Sequence, residues 1–294
     1  MEERVRQGDV ITPSDGEHFA GEGRADLHVH STYSDGVHSP EALVKKAREV
    51  GLSAIAITDH DNLAGLDEAV EWGRSLSVDI ISGIEFSVAM SGKDVHILAY
   101  YCDHTNRDLL DYLIFFQRER LKRAERIVEK LNQLNLPLTM DAVLDQAGEG
   151  SVGRPHIANA LVENGLTGTY HEAFAKYIGW GGPAFEKKFQ LTIADTFRLI
   201  ASAGGLSFLA HPGWMISEPE IVEMIKLGLD GIEVVYPSHN ESQRKDFRNI
   251  VNQYFLLESG GSDYHGGRRG DDAAFGLHTV PLQVVETMRR RLFS

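Results

Sequence analysis

The chain has 294 residues, 42% hydrophobic and 24% charged, which is enough to bury a sizeable core without disulfides or a structural metal. Its formal net charge of -14 excludes a broad electrostatic footprint on duplex DNA, though not a small phosphorylated ligand or a single strand entering a locally basic pocket. The single cysteine, Cys102, excludes an internal disulfide, and no apolar run approaches the ~20 residues of a membrane span, so a cytoplasmic location is the default expectation.

Residues 1–23 are polar and acidic, with no apolar signal core, and read as a tail. RADLHVH (24–30) reads as a short strand ending in histidines. Helix signals follow in 39–51, with Ser39 as N-cap, Pro40 at the first position, Glu41 in the first turn and Gly51 as the stop. LSAIAIT (52–58) is a buried strand running into Asp59, His60 and Asp61, and a helix is expected over 63–76. VDIISGIEFSV (78–88) and DVHILAYY (94–101) read as further strands. The alternation implies parallel strands joined by helical crossovers.

Residues 104–190 break that rhythm and read as a helical insertion between a first barrel part (24–103) and a second (191–294). A long helix is expected over 106–134, shorter ones at 139–147, 155–164 and 170–178, then the glycine-rich loop GWGGPAF (179–185). From Leu191 the pattern resumes: helices at 192–203, 218–227 and 239–252, and strands in GLSFLAHP (205–212), DGIEVVYP (230–237) and FLLESGGSDYH (255–265).

Polar residues gather at one place in this pattern. His28, His30, His60, Glu85, His211, Asp263 and His265 fall at or just past the C-terminal ends of apolar strands, and His96 lies inside one. In a β/α barrel the loops converge at that end. Imidazole with carboxylate suits Mn, Fe or Zn. His28 and His30 flank Val29, so strand alternation puts both rings on one face. Taken singly, each group has a bland explanation: an exposed strand-end histidine, a helix cap in TDHD, a turn in HPG. Five strands offering ligands at one end argue for a metal site.

DLHVHSTYSDG, ITDHD, GIEFS, the His96 strand, LAHPG and GSDYHG occur in the order found in the polymerase and histidinol phosphatase (PHP) family, which the chain resembles over 24–101 and 190–281. The resemblance implies an α/β fold, a distorted seven-stranded (β/α) barrel with an inserted helical domain and a two- or three-metal centre of Mn, Fe or Zn. It assigns His28, His30, Glu85 and Asp263 to one metal. A second shares Glu85 and takes His96 and His211, and a third takes Asp35, His60 and His265. Asp35, His60, Glu85, His211, Asp263 and His265 are the residues expected to carry catalysis. The insertion is similar to that of TrpH/YciV-like phosphoesterases, a subgroup of nucleoside 3',5'-bisphosphate phosphatases, 5'-3' exoribonucleases and enzymes that open cyclic nucleotide phosphodiesters. Members often carry a basic residue in a loop pattern like GKPAY. Here Gly182 stands at that place, which removes a phosphate contact or moves it to Lys187 or Lys188.

The long helix adds an independent clue. Leu109, Leu113, Phe116, Ile127, Leu131 and Leu134 form one apolar stripe, and Arg120 and Arg123 fall on it. An inward charge needs a partner, and a substrate phosphate would serve where the insertion sets aside no acid. Snorkelling outward, or pairing with a glutamate on a neighbouring helix, is the bland alternative. Arg154 and His156 are further phosphate candidates, weighed against an ordinary helix start at Pro155. The expected reaction is hydrolysis of a nucleotide phosphate ester by a metal-bridging hydroxide, foremost the 3'-phosphate of a nucleoside 3',5'-bisphosphate. Short 5'-phosphorylated RNA and cyclic nucleotides are the alternatives, and a non-catalytic metal-binding regulatory module is the alternative of another class. The expected partner is a small phosphorylated nucleotide or short RNA, with neither duplex DNA nor membrane.

Overall fold

A computed structural model describes residues 23–293 except 149, 268, 269 and 272, so the expected tail lies outside the described residues up to position 22. Seven strands make the wall: β1 (Arg24–Val29), β2 (Ala54–Ile57), β3 (Asp79–Met90), β4 (Lys93–Tyr100), β6 (Leu206–Leu209), β7 (Gly231–Val235) and β8 (Leu257–Gly260). Two-residue strands, β5 (Leu191–Thr192) and β9 (Val280–Pro281), pair on β3 and β1. The order is β8-β7-β6-β4-β3-β2-β1-β9. Past β8 the chain returns to β1: Asp263 N donates to His28 O at 2.8 Å and His30 N to Tyr264 O at 2.9 Å. This contact brings the two ends of the sheet together into a distorted (β/α) barrel.

The distortion has a local cause. Ser91 and Gly92 take φ values of +49° and +82°, so β3 turns directly back into β4. A two-residue turn with both central φ values positive matches the twist of a hairpin. β4 therefore runs antiparallel to β3 and β6, while the remaining neighbours among the seven are parallel. The reversal explains why His96 lies early in its strand rather than at its end: the N-terminal half of β4 faces the same rim as the C-terminal ends of the others. It also corrects the expectation that Glu85 ends a strand, because β3 continues five residues further into the hairpin.

Helices α1 (Pro40–Glu49) and α2 (Leu66–Leu76) pack on the β1–β3 side around Leu43, Val44, Ile55, Ile57 and Ala69. Ser39 caps α1 as expected, accepting from Ala42 N at 3.2 Å. Helix α2 starts three residues later than expected, after Gly65. On the other flank α7 (Ile193–Ser202), α8 (Glu218–Leu227) and α9 (Glu241–Gln253) bury Phe197, Ile200, Ile221, Met224 and Phe247 against the sheet. A last helix, α10 (Leu282–Leu292), packs Val285 and Met288 on Ala25 and Leu27. No helix is expected there from the sequence.

Between β4 and β5 lie α3 (Arg107–Gln133), α4 (Met140–Ala147), α5 (Arg154–Glu163), α6 (Tyr170–Ala173) and a π-helical turn, Phe174–Ile178. They share a core of their own that includes Ala124, Ile127, Leu131, Val143, Ile157, Leu161 and Ile178. Asn106 caps α3 by accepting from Leu109 N at 3.0 Å. The stripe on α3 is buried from Leu109 to Leu131, with Arg123 inside it, but Leu134 is the C-cap and exposed. No helix among the described residues is long and apolar enough to cross a membrane.

Candidate metal centre

Glu85 occupies the middle of the site and is 1% exposed. Its Oε2 lies 3.4 Å from His28 Nε2, 3.2 Å from His30 Nε2 and 3.1 Å from His60 Nδ1. Its Oε1 lies 2.7 Å from His96 Nδ1 and 3.1 Å from His211 Nε2. Asp263 Oδ1 approaches the same two nitrogens of β1, 3.3 Å from His28 and 3.1 Å from His30. Asp35 Oδ1 lies 3.3 Å from His265 Nε2 and 3.9 Å from both His30 Nδ1 and His60 Nε2. All nine residues expected to hold metal thus converge.

Three donor groups are tight enough for one ion each: His28, His30, Glu85 and Asp263; His30, Asp35, His60 and His265; and His60, Glu85 and His96. The first matches the expected grouping. In the others His30 and His60 are shared, and His211 enters through its contact with Glu85 rather than as a member of the compact trio.

Nε2 of His28, His30 and His265 and Nδ1 of His60 and His96 are buried without a hydrogen bond, although carboxylate oxygens lie close by. Buried polar atoms in proteins are nearly always satisfied. Nitrogen lone pairs aimed at carboxylate oxygens leave a gap that a cation fills, so the donor set fits divalent metal. Burial alone would raise the Glu85 carboxyl, but the imidazoles around it, His96 and His28 among them, hold it well below its usual range. Burial pulls His60 well down, towards the neutral form that ligates, whereas against burial the neighbouring carboxylates raise His28 and also His30, the latter to about 9.

Behind these residues lies a supporting shell. Glu233, fully buried on β7, accepts from His28 Nδ1 at 2.9 Å and from His211 N at 2.7 Å. The first bond fixes the tautomer that leaves Nε2 of His28 facing the centre. Asp59 accepts from Ser31 N at 2.8 Å and from the hydroxyls of Ser31 and Ser34, fixing the loop after His30. Tyr236 donates to Asp263 Oδ2 at 3.0 Å. Buried His239 accepts from Gly213 N at 3.2 Å and supports the turn after His211. Glu233 had a signal in sequence: an acid inside the apolar run GIEVV cannot be buried alone. Asp61, His211 and Asp263 have φ values of +50°, +28° and +51°, the kind of backbone strain that gathers at sites.

The insertion delivers its cations beside this centre and corrects one premise. Arg120 does have an acid, supplied by the barrel: Asp61, 0% exposed, takes Nη2 at 2.5 Å and Nε at 3.2 Å. Arg123 is 6% exposed and donates Nε to Glu186 O at 2.9 Å. Burial, with Arg154 and Arg120 close by, pushes Arg123 down to about 9. The Arg154 guanidinium lies over the rings of Phe174 and Phe185, 5.6 and 5.8 Å from their centroids. Lys188 is 2.9 Å from Asp94, two residues before His96 on β4. His156 is buried, and its Nδ1 accepts from Gly153 N at 3.0 Å, so the helix start claims that atom. Gly182 is set by packing: a Cβ there would lie 2.3 Å from Tyr177 O. Lysine cannot replace it on this backbone. Among the expected alternates Lys188 reaches the cluster.

Residues 26–175 match the PHP domain family. The chain is 34% identical over 247 residues to a 5'-3' exoribonuclease of Haemophilus influenzae, covering 82% of this chain and 89% of that one. It is 29% identical over 267 residues to a 3',5'-nucleoside bisphosphate phosphatase of Chromobacterium violaceum, covering 88% and 93%. A solved structure from Bifidobacterium adolescentis, provisionally described as a metal-dependent phosphoesterase, superimposes with a TM-score of 0.85 at 32% identity, covering 91% of this chain and 96% of that one.

Proposed function

The chain belongs to the PHP family and is a metal-dependent phosphoric ester hydrolase, and from that premise we propose that it removes the 3'-phosphate from nucleoside 3',5'-bisphosphates. The carrying observation is the cationic cluster beside the centre. Arg120, Arg123, Arg154 and Lys188 gather around two carboxylates, Asp61 and Asp94. Glu186 already takes Lys130 at 2.7 Å and Arg126 at 3.3 Å. Four cations against two acids leave positive charge for an anion, and Arg123 in particular is held charged at a cost that a phosphate relieves. One phosphate at the metal centre and a second at this cluster describe a doubly phosphorylated substrate. The Chromobacterium relative bears a matching name.

His28, His30, Asp35, His60, Glu85, His96, His211, Asp263 and His265 are the residues that would hold two or three ions of Mn, Fe or Zn. When bound there, such ions supply water that ionises near neutral pH and neutralise charge on the phosphoryl oxygens. The chain's own part is orientation. Glu233 holds His28 and His211, and Tyr236 ties down one oxygen of Asp263 so that the other faces His28 and His30. Arg123, Arg154 and Lys188 hold the remote phosphate and keep the ester in register, which raises rate through positioning.

A second reading is exonuclease action on short 5'-phosphorylated RNA, favoured by the Haemophilus relative. It uses the same cluster for the terminal 5'-phosphate. The test is phosphate release from adenosine 3',5'-bisphosphate, 3'-AMP and 5'-AMP with Mn(II), and again after chelation. Preference for the bisphosphate, abolished by chelator, is the expected result. Equal rates on the monophosphates would sink the bisphosphate reading. Stepwise 5' shortening of a labelled oligoribonucleotide, faster than bisphosphate turnover, would replace it with the second.

A further inference from the structure

Trp214 follows His211 by three residues and is 82% exposed, and Met215 beside it is 63% exposed. A large apolar side chain so open to water does little for the fold. Phe255 and Phe293 are as exposed, but they flank the start of β8 and the end of α10, away from the rim that holds the metal donors. Trp180 is also exposed, yet its ring already rests on Phe185 at 5.2 Å. Among the described residues Trp214 makes no ring contact.

The turn that carries Trp214 is fixed. Ala210 N donates to His96 O at 3.1 Å and His211 N to Glu233 at 2.7 Å. Gly213, at φ +53°, donates to His239 Nε2 at 3.2 Å, and Met215 O accepts from Lys93 Nζ at 2.7 Å. Three residues of chain span at most ~11 Å, so Trp214 is tethered close to His211 and to the centre beside it. An indole on a held turn has only two side-chain torsions to order, so using it in binding costs little entropy.

We propose that Trp214, with Met215 alongside, is the stacking platform for the substrate's nucleobase. This rests on the nucleotide reading above and adds the element that tells a nucleotide from any other phosphate ester. Every base has a π face, so the platform accepts purine and pyrimidine alike. The cations of the insertion and the indole of the barrel then hold opposite parts of one ligand.

The experiment compares wild type with Trp214→Ala, Trp214→Phe and Trp180→Ala. Adenosine 3',5'-bisphosphate is set against ribose 3,5-bisphosphate, which lacks the base, and AMP is titrated by tryptophan fluorescence with turnover excluded by chelation. Alanine at 214 is expected to lower the kcat/KM ratio of nucleotide to base-free substrate about 5- to 100-fold, chiefly through KM. Phenylalanine should retain most of it. AMP should quench wild-type emission, and the quenching should vanish in Trp214→Phe but not in Trp180→Ala. An unchanged ratio in Trp214→Ala, or a loss confined to Trp180→Ala, overturns the platform. Equal wild-type use of both substrates instead overturns the nucleotide reading on which it rests.

Discussion

Replacing Arg120 with alanine separates two roles for this side chain, a clamp between insertion and barrel and a contact to substrate. Asp61 is 0% exposed and receives Nη2 of Arg120 at 2.5 Å, Nε at 3.2 Å and Ser87 N at 3.4 Å. An exposed ion pair of this kind would contribute under ~1 kcal/mol. Here the substitution leaves a carboxylate buried without its counter-charge, which costs ~3–5 kcal/mol. In a chain near this size each ~1 kcal/mol moves Tm by ~2–4 °C, so the expected fall is roughly 10 °C. The assay is thermal unfolding in chelator, so that displaced metal does not enter the comparison. The double variant Arg120→Met with Asp61→Asn should recover a large part of the loss, since it removes both charges and asparagine tolerates the φ of +50° at position 61. If Arg120→Ala melts within 2 °C of wild type by that estimate while KM rises, Arg120 acts on substrate and the clamp is negligible.

Glu233→Gln keeps the size of the side chain but disturbs the hydrogen bonds that fix His28 and His211; Mn(II) affinity measured by calorimetry should fall ~10- to 100-fold. Gly182→Lys, which restores a basic residue to the loop, should destabilise by ~1–3 kcal/mol in urea unfolding, because the new Cβ meets Tyr177 O, and should not lower KM. Burial, with Asp103 close by, raises the Cys102 thiol to about 12, so at pH 8.5 the native protein should resist iodoacetamide and react only on unfolding. The folded state then binds the extra proton between the ordinary thiol value near 9 and about 12, so this group's contribution makes stability fall as pH rises through that window; a Cys102→Ala variant should lose that part of the slope.

The convergence of the nine candidate ligands was legible because buried apolar strands that end abruptly in histidine or carboxylate have few other uses for them. The barrel alternation was legible for the same reason, from the strand runs before His60 and His211. The β3–β4 hairpin was legible only locally: five residues including Ser91-Gly92 separate the two expected strands, too few for a parallel crossover, but the strand–helix alternation of the rest of the chain argues for parallel strands throughout. The partner of Arg120 is hidden in the sequence because Asp61 lies outside the insertion, in a barrel loop 59 residues earlier in the chain. Glu233 stands in the sequence as one polar residue in an apolar strand, and the two neighbours that satisfy it, His28 and the backbone of His211, belong to other elements. Propensity and periodicity assign residues to elements, and pairs across elements appear only once the chain is folded.

The return of residues 263–264 to β1 has a consequence for how the protein is made. During synthesis seven of the nine candidate ligands, from His28 to His211, emerge before Asp263 and His265. Until then β1 has β2 on one side and an open edge on the other, and that edge carries His28. Non-local pairing of this kind is slow to form. A chain stopped before residue 262 would expose an aggregation-prone strand and an incomplete set of candidate ligands together, so Asp263, Tyr264 and β9 act as the latch that closes the sheet and completes the candidate site.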